Sequence, residues 1–285
     1  MTDELFGTYR ILRRPNGELW ELDRDRGWAT FKAVEVNLEL SVALTLADIG
    51  LLATDEQVTA FNRRSRELMR ADSPSVGRMV NAGRMGEQYF YATQLPKGAS
   101  LDEYVVREGP IPWAGAVRAI LQVVAALEAA NQCDVLHAGL VPQRVILHRA
   151  AEWHLVPEVQ VVGFDLFGVS RAEAPLAAPA ELSIDNATTH AVGELLQLML
   201  AGKEQPQPGG PFFLDVRPVA FIPAPIQIIL DRLLADAGAH PPYTFRTLRT
   251  ALHDAFLVPP LIIPGQRLGV GNESSPSTAP DSPVV

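Results

Sequence analysis

The period of the apolar pattern changes near Gly98. Up to that point the chain alternates in short runs broken by turn residues, as strands do when they bury one face. Beyond it, apolar residues recur three and four apart, as in helices with a buried stripe. A strand-rich first part followed by a helix-rich second part predicts an α+β chain and excludes the alternating order of a parallel doubly wound sheet.

Tyr9-Arg10-Ile11-Leu12 leads through the turn signal Pro15-Asn16-Gly17 to Leu19-Trp20-Glu21-Leu22. Asp23 to Gly27 reads as a second turn and Trp28 to Val36 as a third strand, which predicts a three-stranded meander. Leu38 to Leu52 is apolar but carries no readable period. Thr54-Asp55-Glu56 caps a helix that runs through Phe61, Leu68 and Met69 to about Ala71, where Ser73-Pro74 stops it. Val76 to Ala82 and Gln88 to Gln94 add a strand pair, for five strands and one helix in the first part. The second part predicts a short helix at Ser100 to Tyr104, then helices at Ala114 to Gln132, His190 to Ala201, Ile226 to Ala235 and Phe245 to Phe256. Val145 to His148 and Val159 to Val162 read as short strands. The expected division is 1–97 and 98–258, followed by a Pro/Ser-rich tail at 259–285, partly disordered.

The 33 acidic against 24 basic residues give a formal charge of -9, which repels a phosphate backbone, so nucleic acid is not an expected partner. Cys133 is the one cysteine, so there is no internal disulfide framework, and a reducing compartment suits the chain. The start, Met1-Thr2-Asp3-Glu4-Leu5, lacks a signal-peptide pattern. The most apolar stretch, Ala114 to Val135, carries Arg118, Gln122, Glu128 and Asp134 and reads as a core helix. No membrane association and a cytoplasmic location are the expectation. His148 and His154 flank a turn without further ligands, so no metal site is expected.

Several strings, taken in order, resemble a bacterial serine/threonine (Hanks-type) protein kinase, which implies a bilobal fold with a small antiparallel β lobe bearing one helix and a larger helical lobe. Ala29-Thr30-Phe31-Lys32 resembles the Val-Ala-Ile-Lys strand. Tyr89 to Gly98 resembles the last strand and hinge of the small lobe, with Thr93 as gatekeeper followed by Gln94, Leu95 and Pro96. Leu136-His137-Ala138-Gly139-Leu140-Val141-Pro142-Gln143-Arg144 resembles the catalytic loop, and Gly163-Phe164-Asp165 the Asp-Phe-Gly segment. Ala178-Pro179-Ala180-Glu181 resembles the Ala-Pro-Glu region, and Ala191 to Leu196 the central helix.

The resemblance assigns roles that these residues do not fit. Gly139 stands at the catalytic aspartate, Arg144 at the metal-binding asparagine and Gly163 at the metal-binding aspartate. Arg64 falls at the glutamate that pairs with the strand lysine, and Thr188 at an aspartate that caps the catalytic loop. The glycine-rich loop reduces to Pro15-Asn16-Gly17-Glu18, and Pro96 has no N–H for a nucleotide base. Lys32 alone keeps its expected type, or it snorkels from a strand edge. Asp165 would supply a carboxylate if the motif is stretched to Asp165-Leu166-Phe167-Gly168. His137 reads as a core histidine supporting the loop.

These substitutions predict a pseudokinase: no catalysis, no cofactor, no binding of ATP with magnesium, and a role as scaffold or allosteric regulator for a protein partner. The alternatives are an enzyme with non-standard nucleotide chemistry on this fold, and a small-molecule sensor that uses the cleft. Arg63, Arg64, Arg66 and Arg70 form a basic stripe that is either a solvated face or a docking surface for an acidic partner. Phe212-Phe213-Leu214 is either core or an exposed patch.

Overall fold

The computed structural model describes residues 4–25, 27–71, 73–95, 97–137, 139–148, 158–168, 184–202, 222–235 and 243–257. Strands β1 (Glu4–Phe6), β2 (Tyr9–Ile11), β3 (Glu21–Asp25), β4 (Trp28–Glu35), β5 (Leu40–Asp48), β6 (Met79–Met85) and β7 (Gln88–Gln94) form one antiparallel sheet. Its order is β1-β2-β4-β5-β7-β6, with β3 also paired to β4.

Two expectations change here. The stretch from Leu38 to Leu52 contains β5, the central strand, followed by a 3-10 turn at Ile49–Leu52. It shows no alternation because Val42, Ala43, Leu44 and Thr45 are buried in succession, with both faces of the sheet covered. Val42 and Leu44 pack with Tyr9, Ile11 and Phe90 on one side, while Ala47 and Tyr91 join the larger core on the other. The predicted meander is instead a single interrupted strand. β2 and β3 both lie along β4, and the Pro15-Asn16-Gly17 turn closes a small hairpin that leaves the sheet at Leu12 and returns at Trp20. With β1 added, seven strands stand where five are expected.

Helix α1 (Asp55–Arg70) begins as its sequence predicts. Thr54 accepts from the Gln57 N–H at 3.2 Å and Gln57 Oε1 accepts from the Thr54 N–H at 3.1 Å. Then follow β8 (Ala99–Ser100), α2 (Leu101–Glu108) and α3 (Trp113–Gln132), and after them β9 (Leu136–His137), β10 (Val145–His148), β11 (Glu158–Val161) and β12 (Phe164–Asp165). The last described elements are α4 (Asn186–Ala201), α5 (Ala224–Leu234) and α6 (Phe245–Leu257). By length and composition α3 could cross a membrane, but here it is the central core helix, with Val117, Ile120, Val123, Val124 and Leu127 buried among residues of α4, α6 and β11. The layout is a bilobal α+β, kinase-like fold, with the β sheet and α1 in the small lobe and mostly helices in the large one. The tail at 259–285 lies outside the described residues.

Candidate functional site: the cleft between the lobes

A cavity of about 380 Å³ opens between the lobes. Leu22 and Ala43 wall it from the small lobe, and Val141, Ile146 and Val162 from the large one. Thr30, Thr45, Thr93, Asp23 and Arg144 supply polar atoms at its lining. Thr30 and Thr45 hydroxyls bond each other at 2.9 Å.

Arg144 is the centre of this site. It ends the 3-10 turn Pro142–Arg144. Its Nη1 donates to the Gly139 carbonyl at 2.9 Å, and its guanidinium forms an ion pair with Asp23 of β3, across the cleft. The side chain is only 13% exposed. Gly163 adopts φ 89°, and a Cβ there would lie 2.8 Å from Arg144 Cδ. Gly139 adopts φ 91°, and its Cβ would lie 3.7 Å from Arg144 Nη1. The three large-lobe positions read separately in the sequence thus converge, and the Arg144 stem occupies space that a side chain at 163 would fill.

Lys32 is the main correction. It is absent from the cavity lining, and its ammonium lies 4.1 Å from the centroid of the Trp20 ring. The strand directly before the helix is β5, so Val42-Ala43-Leu44-Thr45 stands in the place assigned to Ala29-Thr30-Phe31-Lys32. The Lys32 register is therefore one strand early. Likewise, β3 borders the cleft through Leu22 and Asp23, and Pro15 to Glu18 are absent from its lining. The signals for both were the order strand then helix and the Val42-Ala43 pair. Asp23 and Thr45 lie outside the kinase-like strings, and Thr30 lies inside one in which only Lys32 carries a role.

Arg64 does not oppose Lys32. It is buried, and its Nε donates to the Asp134 carbonyl at 3.0 Å. It therefore ties α1 to the turn after α3. Thr188 bonds Asp185, through its N–H at 2.7 Å and its hydroxyl at 2.8 Å, in the N-cap of α4. Thr93 and Leu95 line the cavity. Two hinge N–H groups are already engaged, Gln94 by the Arg78 carbonyl at 2.7 Å and Leu95 by the Ser41 carbonyl at 2.9 Å. Pro96 lies outside the described residues, as do Ala178 to Glu181 and Phe212 to Leu214. Of the basic stripe, Arg63 pairs with Asp134 at 2.7 Å, while Arg66 bonds the Asn62 carbonyl of its own helix.

His137 Nε2 lies 2.8 Å from the Val162 carbonyl, and its ring packs edge-on to Phe164. Burial pushes its pKa down to about 4, so the ring is neutral near pH 7. The core-histidine reading is the one this geometry supports. Asp165 is buried and accepts the Gly168 N–H at 2.8 Å, closing a tight turn. Tyr91 donates from its hydroxyl to the Phe164 carbonyl at 2.9 Å, and burial raises its pKa.

A kinase resemblance implies magnesium, and these residues do not fit it. Magnesium takes hard oxygen ligands, whereas positions 139 and 163 are glycines and position 144 is a cation. Among the described residues no group of three or more His, Cys, Asp or Glu could hold a metal ion.

No protein-family model matches the chain. Its curated relatives include serine/threonine-protein kinase PknL of Mycobacterium tuberculosis, 23% identical over 181 residues, which is 60% of this chain and 45% of that protein. PrkC of Bacillus subtilis is 23% identical over 142 residues, 50% of this chain and 21% of the relative. The chain thus spans less than half the length of these relatives. The PknI kinase domain of Mycobacterium tuberculosis shares the fold at a TM-score of 0.54 and 17% identity, over 90% of this chain and 98% of that domain. The chain is similar in sequence to bacterial serine/threonine protein kinases, and it has the fold of a kinase domain. The expectation that it is not an enzyme is overturned by the same comparisons, because these relatives and neighbours are enzymes.

Proposed function

We propose that the chain is a regulatory kinase-fold protein that acts by contact with a protein partner in the cytoplasm. The observation behind this reading is the Arg144–Asp23 ion pair, which joins the lobes across the cleft and favours one relative arrangement of them. A surface held in one arrangement loses less entropy on docking than a mobile one. α1 adds exposed Arg66, Met69 and Arg70 on the small lobe, an apolar and basic surface suited to an acidic partner.

The partner class that kinship favours is an active serine/threonine kinase domain. The test adds the purified chain in stoichiometric amounts to such a domain from the same cell and follows phosphorylation of that domain's substrate. A change of several fold in rate, weakened by reversing Arg66 and Arg70 to glutamate, is the expected result. An unchanged rate, with no complex seen by sedimentation, sinks the reading.

A further inference from the structure

Two arginines cross between the lobes in opposite directions, and both lie against the same short stretch, Gly163 to Gly168. Arg144 of the large lobe reaches Asp23 of β3 in the small lobe. Arg64, on α1 of the small lobe, reaches Asp134 in the turn after α3, with Nε 3.0 Å from the carbonyl and 3.6 Å from the carboxylate. Their side chains are 13% and 10% exposed. We propose that the two arginines form a clasp on 163–168. Arg64 is its fixed side and the Arg144–Asp23 pair its releasable side. A charge that breaks the Asp23 contact loosens 163–168 locally, without unfolding the chain.

The first observation lies at the two ends of the stretch. Gly163 has φ 89° and Gly168 has φ 79°, both left-handed. A Cβ at 163 would lie 2.8 Å from Arg144 Cδ, and one at 168 would lie 3.0 Å from Arg64 Cζ. Each arginine thus packs on bare glycine backbone. Glycine has the widest choice of φ and ψ, so these two points give way when the packing side chain withdraws. Between them the Gly168 N–H donates to Asp165 at 2.8 Å, and Arg64 Nη1 lies 3.5 Å from the Leu166 carbonyl.

The second observation is that the two sides are unequal. On the Arg64 side, Arg63 adds a second guanidinium to Asp134 at 2.7 Å, and Phe61 stacks on Phe167 with centroids 5.3 Å apart. Loss of one contact there leaves the others in place. On the Arg144 side the small lobe supplies Asp23, from a strand that pairs with β4 and lies off the main path of the sheet. Register shifts between Glu21 and Asp23, and such a bulge re-aims the side chain beside it. The Asp23 side chain is 29% exposed, so charges in solvent reach it.

Interlobe pairing and the state of 163–168 are thereby one equilibrium, and whatever competes for Asp23 or Arg144 shifts both. The inference shares its ion pair with the regulatory reading but needs no partner. It is measured on the isolated chain, so its failure is distinguishable from a failure of partner binding.

The experiment is hydrogen exchange read by mass spectrometry on the whole chain, at low and high salt, for wild type, Asp23→Asn, Arg144→Gln, the double variant and Arg64→Met. Residues 117–127 of the buried helix α3 report global opening. Asp23→Asn and Arg144→Gln each speed exchange over 163–168 about fivefold or more relative to 117–127. The double variant adds little to either, because both substitutions remove the same contact. High salt speeds exchange over 163–168 in wild type but not in Asp23→Asn. Arg64→Met loosens α1 together with 163–168, whereas Asp23→Asn leaves α1 protected. Unchanged protection of 163–168 in both Asp23→Asn and Arg144→Gln overturns the proposal. So does a rise matched by 117–127, which is global opening, or an Asp23→Asn variant that loosens α1 as much as Arg64→Met does.

Discussion

At the scale of single residues, Arg144 and Gly163 have to be understood as one feature. Aspartate at 163 meets two obstacles, a left-handed backbone at φ 89° and the Arg144 side chain 2.8 Å from its Cβ. The first costs about 1–3 kcal/mol for a residue with a side chain, and the second adds overpacking of similar size. Gly163→Asp alone is therefore expected to destabilise by about 2 kcal/mol or more. Adding Arg144→Asn removes the clash and leaves the backbone strain. A double-mutant cycle by denaturant unfolding should give a favourable coupling of about 1 kcal/mol or more, and additivity within about 0.5 kcal/mol would refute it.

His137 makes a pH prediction of the same scale. Its folded pKa, about 4, lies below the ordinary value of 6.5, so the unfolded chain binds the proton more readily. The stabilisation is present above pH 6.5 and is lost as pH falls towards 4, by on the order of 1–3 kcal/mol in total. A His137→Gln variant should show a flatter stability profile across that window. Equal slopes for both proteins would remove His137 as the cause.

At the scale of elements, α1 is held at one end by its own sequence and in the middle by the other lobe. Its start depends on the reciprocal Thr54 and Gln57 bonds, so Thr54→Ala should cost about 1 kcal/mol in chemical denaturation. A change below a few tenths would mean that packing alone fixes the start. Farther along, Phe61 stacks on Phe167 with centroids 5.3 Å apart, and Arg64 bonds the Asp134 carbonyl. The helix start was legible because capping is local. The role of Arg64 was not, since Asp134 and Leu166 lie 70 and 102 residues away in sequence. β5 was missed for a related reason: a strand covered on both faces loses the alternation by which strands are read.

At the scale of the whole molecule, one apolar core runs through both lobes. Trp28, Phe61, Leu68 and Tyr91 of the small lobe belong to the same buried cluster as Ile120, Phe164 and Phe167. Phe167 reaches both Phe61 and Tyr91, at 5.3 and 5.4 Å between centroids. The described lobes should therefore unfold together. Phe167→Ala is expected to lower stability by about 3–5 kcal/mol, and the wild-type chain is expected to unfold in a single calorimetric transition. Two separate transitions in the unmodified protein would show that the lobes are independent.

The sequence by itself determined the segregated α+β layout, the capped start of α1, the core helix α3 and the order of kinase-like strings. Each of these is written in local periodicity, capping chemistry or residue order, which need no knowledge of distant contacts. Tertiary structure decided that Ala43 and Thr45 of β5 line the cleft while Lys32 of β4 does not. It also decided that Gly139, Gly163 and Asp23 gather around Arg144. The physical reason is that a strand's neighbour and a charge's partner are fixed by sheet order and lobe packing. Asp23 and Arg144 meet because β3 borders the cleft and the turn before β10 faces it, across 121 residues of chain.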